Sequence, residues 1–268
     1  MIVEYWLKAH MSDYFDTHCH LDFLSNQDLA VKEARLCGVN RILVPSVHSG
    51  NFSEVISLAN KYDGIYYALG IHPYFVTKSR LKDLEVLEQT IAKSFLDERF
   101  IAIGEIGLDF RLKNFDKEKM ELFFYTQLRL AEKYKLPVIL HNTKAQDVVL
   151  KYFRSFNLVG GIAHAFNGSE QQAKQYLNCG LLLGFGGTIT FNRSTNIRSL
   201  LKFVPDNSFV VETDSPDMNP FWLEKGIENS PKNIPRILDY AAELRLQNKQ
   251  RISLNVLNNM KRLFPKIL

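Results

Sequence analysis

Short apolar runs alternate along the chain with longer amphipathic, charged stretches. The runs are Tyr14–Thr17, Arg41–Val44, Tyr66–Gly70, Ile101–Gly104, Val138–Leu140, Gly161–Ala163, Leu182–Gly184 and Phe209–Val211. Most are too short and too rich in β-branched or aromatic residues for helices. They are continuously apolar, the pattern of strands buried on both faces of a parallel sheet. Between them, Leu29–Leu36, Phe52–Lys61, Leu81–Ser94, Lys117–Tyr134, Lys144–Tyr152 and Glu170–Tyr176 carry apolar residues three and four apart, the spacing of a helix with one buried face. Pro235–Leu246 and Ser253–Phe264 read the same way. Strand–helix units repeated over 268 residues predict an α/β fold, a (β/α)8 TIM barrel, filling the chain as a single domain. A doubly wound open sheet is the alternative, because periodicity does not separate the two. The stripe Leu122, Phe123, Leu128 and Leu130 reads as core-facing.

Composition adds little beyond this. The chain is 46% hydrophobic and 23% charged with a formal charge of +4, which permits a phosphate-rich substrate without pointing to one. Three scattered cysteines, Cys19, Cys37 and Cys179, speak against a disulfide framework and against a cysteine zinc site. No apolar run reaches the roughly 18 residues a bilayer requires. The start, Met1 to Lys8, carries Glu4 and no basic cluster, unlike a signal peptide. A cytoplasmic protein with no membrane association is the expectation. Met11 leads directly into the first strand, so residues 1–10 read either as an upstream extension or as a segment packed on the barrel.

The candidate chemistry lies at the strand ends. His18 and His20 close the first run as Asp16-Thr17-His18-Cys19-His20; residues two apart in extended backbone share a face, so both imidazoles can hold one metal while Cys19 points away. His72 follows the third run, Glu105 and Asp109 the fourth, His141 the fifth, His164 the sixth and Asp214 the eighth. Of seven histidines only His10 and His48 fall outside these positions. In a parallel barrel all strand C-termini open on one face, so these groups converge. Such a cluster is costly to desolvate unless something binds it, and imidazole plus carboxylate suits one or two divalent ions, Zn, Mn or Mg. Glu105, midway around the set, is the best-placed bridge between two ions, and Asp214 could both ligate and take a proton from the attacking water. The five strand-end histidines and the carboxylates are thus the candidate metal ligands, with Glu105 and Asp214 expected to be catalytic.

The stretches Asp-Thr-His-Cys-His-Leu-Asp (16–22), Gly-Ile-His-Pro (70–73), Gly-Glu-Ile-Gly-Leu-Asp (104–109), Leu-Pro-Val-Ile-Leu-His (136–141), His-Ala-Phe-Asn-Gly-Ser (164–169) and Glu-Thr-Asp-Ser-Pro (212–216) together resemble the TatD family of metal-dependent hydrolases, a branch of the amidohydrolase superfamily. The resemblance spans residues 16 to about 235 in the family's order. It implies a (β/α)8 barrel with one ion among His18, His20, Glu105 and Asp214 and another among Glu105, His141 and His164. It implies Glu105 in the place where many relatives of the superfamily carry a carbamylated lysine, and His72 and the Asp109 region as substrate-side groups. Family members are described as DNases or 3′–5′ exonucleases, some as deacylases.

Two positions depart from the family pattern. Asn142-Thr143-Lys144 replaces the usual Ser-Arg or Cys-Arg, and Asn167 stands where Ser is usual. Lys144 and Arg193 are the cations that could take over a phosphate contact. Tyr74, Phe75, Phe110, Arg111, Phe166 and Phe191 also lie just beyond strand ends, where they could stack on bases. The leading expectation is a metal-dependent phosphodiesterase acting on DNA. A hydrolase of a small ester or amide is the alternative, and a non-enzymatic binding barrel the third.

Overall fold

The computed structural model describes residues 13–113 and 115–267; the reading of residues 1–10 lies outside them. Eight strands, β1 (Tyr14–Asp16), β2 (Val39–Pro45), β3 (Ile65–Leu69), β4 (Phe100–Asp109), β5 (Val138–Thr143), β6 (Gly161–Ala163), β7 (Leu181–Phe185) and β8 (Phe209–Val211), form one sheet in sequential order. Every neighbouring pair is parallel. The end of β8 returns to β1 through Thr17 N, which donates to Val211 O at 3.3 Å, and Asp214 N, which donates to His18 O at 2.9 Å. The sheet thus curls into a (β/α)8 barrel, and the open-sheet alternative falls.

The helices lie outside it: α1 (Gln27–Leu36), α2 (Phe52–Lys61), α3 (Leu81–Ser94), α4 (Lys117–Tyr134), α5 (Gln146–Phe153), α6 (Glu170–Asn178), α7 (Thr195–Phe203), α8 (Ile234–Arg245) and α9 (Lys249–Leu263). Each buries one stripe. In α4 the Asp116 side chain caps the first turn by accepting from Lys119 N, and Met120, Phe123, Phe124 and Leu128 face the core. Leu122, one residue and so about 100° round from Phe123, is 46% exposed and falls off the expected stripe. Helix α7 escapes the periodicity reading because its apolar positions Ile197, Leu200 and Leu201 follow a polar stretch and fill barely two turns. Strand residues on both faces of the sheet, such as Leu43, Ile103, Val138, Ile162, Leu183 and Val210, are fully buried. None of the helices among the described residues is long and apolar enough to cross a membrane.

Strands β4 and β5 run further than their apolar cores, and this positions the site. Between Ile103, opposite Val138, and Ile106, opposite Leu140, the β4–β5 register shifts, a bulge that re-aims the side chains beside it. Glu105 lies in that bulge. Gly107 follows at φ 150°, where an added Cβ would stand 1.8 Å from His141 O. Only glycine permits this approach, and it holds β5, with His141, tight against β4.

Candidate metal centre

The strand ends deliver imidazoles and carboxylates to one point. Asp16, the last residue of β1, accepts from Thr213 N at 2.9 Å and from Thr213 Oγ1 at 2.5 Å. This buried clamp fixes the β1 end against the β8 end, and so His18 and His20 against Asp214. Asp214 itself adopts φ 54°, as do Lys144 at 52° and Ala165 at 44°, three left-handed residues just past strand ends. Such conformations cost of order 1 kcal/mol or more apiece and gather where side-chain placement is over-determined.

Glu105 Oε2 lies 3.2 Å from His18 Nε2 and 3.3 Å from His20 Nε2. Asp214 Oδ1 lies 3.5 and 3.7 Å from the same nitrogens, which are 3.3 Å apart. Four donors about 2.1 Å from a central ion would be about 3.4 Å from one another in tetrahedral geometry, so these spacings fit a metal cage. The other oxygen, Glu105 Oε1, lies 2.9 Å from His164 Nε2 and 3.1 Å from His141 Nδ1, and those nitrogens are 3.1 Å apart. One carboxylate therefore faces two cages, one oxygen to each, and the His18 and His164 rings stack at 4.0 Å between them. Lone pairs so close repel unless a cation sits among them, and a metal ion meets that need for every donor at once.

Hydrogen bonds on the far sides of the rings decide which nitrogens are free. His141 Nε2 faces Asp109 Oδ2 at 3.2 Å and donates to it, leaving the Nδ1 lone pair for the cage. Asp109 is in turn held by Arg111, whose N, Nε and Nη2 donate at 2.9, 3.2 and 2.9 Å. His72 differs. Its Nδ1 accepts from Tyr74 N at 3.1 Å, so the ring proton sits on Nε2, which donates to Glu105 Oε1 at 3.3 Å. Although His72 clusters with Glu105 and His141, it acts there as a donor to Glu105.

Burial opposes charge on every one of these groups, and neighbours decide the outcome. Burial would push Glu105 up, but the charges of His164, His72 and His18 hold it well below the usual carboxylate range. Burial would likewise depress His164 and His20, yet Glu105 carries them to about 10 and about 9. His18 is driven down to about 3 by burial and by the charge on His164. Asp214 is raised, chiefly by burial. Without metal the cages thus hold protons, which metal binding would displace.

A profile of the family described as TatD related DNase matches residues 15–265. The chain belongs to the TatD family. This TatD-family protein is 35% identical to the uncharacterized metal-dependent hydrolase YjjV of Escherichia coli, over 94% of this chain and 97% of the relative. It is 30% identical to the human deoxyribonuclease TATDN3, over 94% of each. The crystal structure of E. coli YjjV, described as a TatD homolog, superposes with a TM-score of 0.87 at 34% identity, covering 94% of this chain and 98% of that one. The protein is a TatD-family metal-dependent hydrolase.

Within this TatD-family barrel the six expected ligands converge as described. Lys144 lines the cleft beyond His141, whereas Arg193 lies with its guanidinium 5.1 Å over the Phe191 ring and is not among the cleft-lining residues. Asp109 lines the cleft but is 3% exposed, and its contacts make it the support of His141 more than a group facing substrate. Tyr74, Phe75 and Arg111 line the cleft. Phe166 is core, and Phe110 stacks on Phe115. Sequence reasoning missed Phe23, which walls the cleft, and Glu212. Glu212 is wholly buried, accepts from Ala165 N at 2.6 Å and lies 3.8 Å from His164 Nδ1; burial raises it to about 8. Its place in the Glu-Thr-Asp-Ser-Pro stretch was the available signal.

Proposed function

We propose that this chain is a divalent-metal-dependent phosphodiesterase that trims DNA from its 3′ end in the cytoplasm. The observation that carries this reading is Glu105, whose two oxygens each face a separate donor cage. His18, His20, Glu105 and Asp214 would hold one ion and Glu105, His141 and His164 a second. When bound, these ions would polarise the phosphoryl oxygens and acidify the attacking water. Asp214 is 17% exposed and borders the cleft; it takes the proton from that water as the oxygen adds to phosphorus. The P–O3′ bond breaks, and the proton returns to the leaving oxygen. His72 borders the cleft, and its Nε2–H, donated to Glu105 Oε1, orients that carboxylate. The human relative's name as a deoxyribonuclease supports the substrate class, and the unpaired cysteines fit a reducing compartment.

Metal-loaded protein incubated with 3′-labelled single-stranded DNA tests the reading. Release of labelled mononucleotide above a Glu105→Ala control is expected, and no release with Zn, Mn or Mg would overturn it. A second reading, hydrolysis of a small ester or amide, draws on the apolar side of the cleft, where Phe23, Val47, Phe75 and Leu112 gather. Turnover of aryl esters without any nucleotide release would favour it.

A further inference from the structure

Asp214 is aimed differently from its neighbours in the cages. The His141 ring is held from behind by Asp109. Among the described residues, by contrast, no backbone N–H or hydroxyl donates to the Asp214 carboxylate, whose Oδ1 lies 3.5 and 3.7 Å from His18 and His20 Nε2. The direction of this carboxylate is therefore set by its backbone. That backbone stands at φ 54°, and Met218, four residues on, at 50°. Both are left-handed conformations that residues with a Cβ seldom adopt, and they persist only where the surroundings hold them. Regular structure does not do so, because residues 212–230 join β8 to the helical turn Pro231–Asn233 without a strand or helix.

The contacts that hold the segment converge on Asn229, which is wholly buried. Its Nδ2 donates to Thr213 O at 2.9 Å, to Asp217 O at 3.0 Å and, more weakly, to Met218 O at 3.4 Å. Its backbone N donates to Pro216 O at 3.0 Å. One residue thus ties the carbonyl just before Asp214 to the turn just after it, which Asp217 N closes by donating to Asp214 O at 2.9 Å. The amide is oriented from its other side. Asn229 Oδ1 accepts from Ser230 N and from Asn233 Nδ2, both at 2.9 Å, and Asn233 Oδ1 accepts from Trp222 Nε1 at 3.2 Å. Turned over, the amide would set its NH2 against two donors and its oxygen against three carbonyls. The far side of the turn rests on Gly187, where an added Cβ would stand 2.2 Å from Met218 O, so the turn has no room to withdraw from Asn229.

We infer that Asn229 is the positioning residue for Asp214. Its side-chain amide fixes the left-handed backbone that points the Asp214 carboxylate at His18 and His20. The two cages are then supported separately, the second by Asp109 behind His141 and the first by Asn229 behind Asp214. This rests on the assignment of Asp214 to the first ion and is independent of the substrate. The role needs both halves of an amide, two hydrogens for the carbonyls and an oxygen for the donors behind. An ionised aspartate has nearly the same shape and no hydrogen to give.

The test is Asn229→Asp, read by zinc titration against a competing chelator and by hydrogen–deuterium exchange of the metal-free protein. The ion among His18, His20, Glu105 and Asp214 should bind about tenfold more weakly, the lower end of what loss of a supporting contact costs. The ion at His141 and His164 should be unchanged. Exchange at the Asp214 and Asp217 amides should quicken while that of β4 and β5 stays as before. Asn233→Asp gives the same perturbation from behind should the first variant not fold, because two facing acceptors turn the Asn229 amide over; the same selective loss is expected. Asp206→Ala, which loosens the barrel from its opposite end, should leave both ions unchanged, and Asp214→Asn should weaken the first alone. An unchanged first ion in the Asn229 and Asn233 variants, with Asp214→Asn weakened, would overturn the role of Asn229. Equal weakening of both ions would also overturn it, by showing a general loss of structure. No weakening in Asp214→Asn would remove Asp214 from the cage and the proposal with it.

Discussion

Replacing Asp109 with Asn changes one atom and should disable one cage. In the native site Asp109 Oδ2 accepts from His141 Nε2 at 3.2 Å and Arg111 Nη2 at 2.9 Å, while Oδ1 accepts from Arg111 N and Nε. An amide has one oxygen for these four donors. If the oxygen faces the two N–H groups at the Oδ1 position, the NH2 points at His141 Nε2, forces the ring proton onto Nδ1 and removes the lone pair aimed at the cage. The first orientation sets the NH2 against one arginine donor, Nη2, and the opposite one against two, N and Nε, so the first wins. Loss of such a supporting contact weakens metal binding roughly 10- to 100-fold, about 1.4–2.7 kcal/mol. Metal titration against a competing chelator should show one weakened ion and one unchanged, with hydrolytic activity lost at limiting metal and restored by excess. Unchanged affinity at both positions would refute the assignment of Asp109 as the support of His141.

Three further outcomes follow from the packing. Gly184→Ala places a Cβ 2.3 Å from Glu212 Oε2; because Glu212 is wholly buried, it must surrender its bond to Ala165 N. A loss of about 3 kcal/mol is expected, a fall in Tm of about 5 °C for a chain of this length, and an unchanged melting curve would contradict it. Asp206 accepts from Gln247, Arg245 and Arg251, tying the β7–β8 connection to the C-terminal helices, and these partners, with Gln247 foremost, hold its carboxyl at about 2. Because the folded value lies below the unfolded one of 3.8, this stabilisation is complete above the unfolded value and fades as pH falls toward 2. With solvent screening it amounts to about 1 kcal/mol, so denaturant unfolding of Asp206→Ala should differ from that of the unaltered protein at pH 7 and converge with it near pH 2; a constant difference would exclude the ionic origin. Thr213→Val removes the hydroxyl donor to the buried Asp16, and a loss of about 1–3 kcal/mol with weakened metal binding is expected; a neutral result in both assays would show the clamp to be dispensable.

The six donors could be read from the sequence because each ends an apolar run, and a parallel barrel opens all those ends on one face. The pairing of Glu105 with both cages was readable only as an expectation, since it depends on the β4–β5 bulge, which no periodicity announces. Asp109 and Glu212 look like any other carboxylate near a strand end; their work behind His141 and His164 depends on ring orientation. Phe23 went unnoticed because its exposure is set by the turn after His20, a matter of tertiary placement. Arg193 was misleading for a related reason: the helical turn Gly187–Thr190 after β7 carries Phe191, and the guanidinium rests on that ring instead of facing the cages.

The central claim is that the Glu105 carboxylate is shared between two ions. Anomalous diffraction from crystals of the metal-loaded protein, collected at the edge of the bound metal, tests it most directly. Two peaks about 3.5–4 Å apart, one among His18, His20 and Asp214 and the other between His141 and His164, with Glu105 reaching both, are the predicted result. A fully occupied ion whose ligands do not include Glu105 would contradict it.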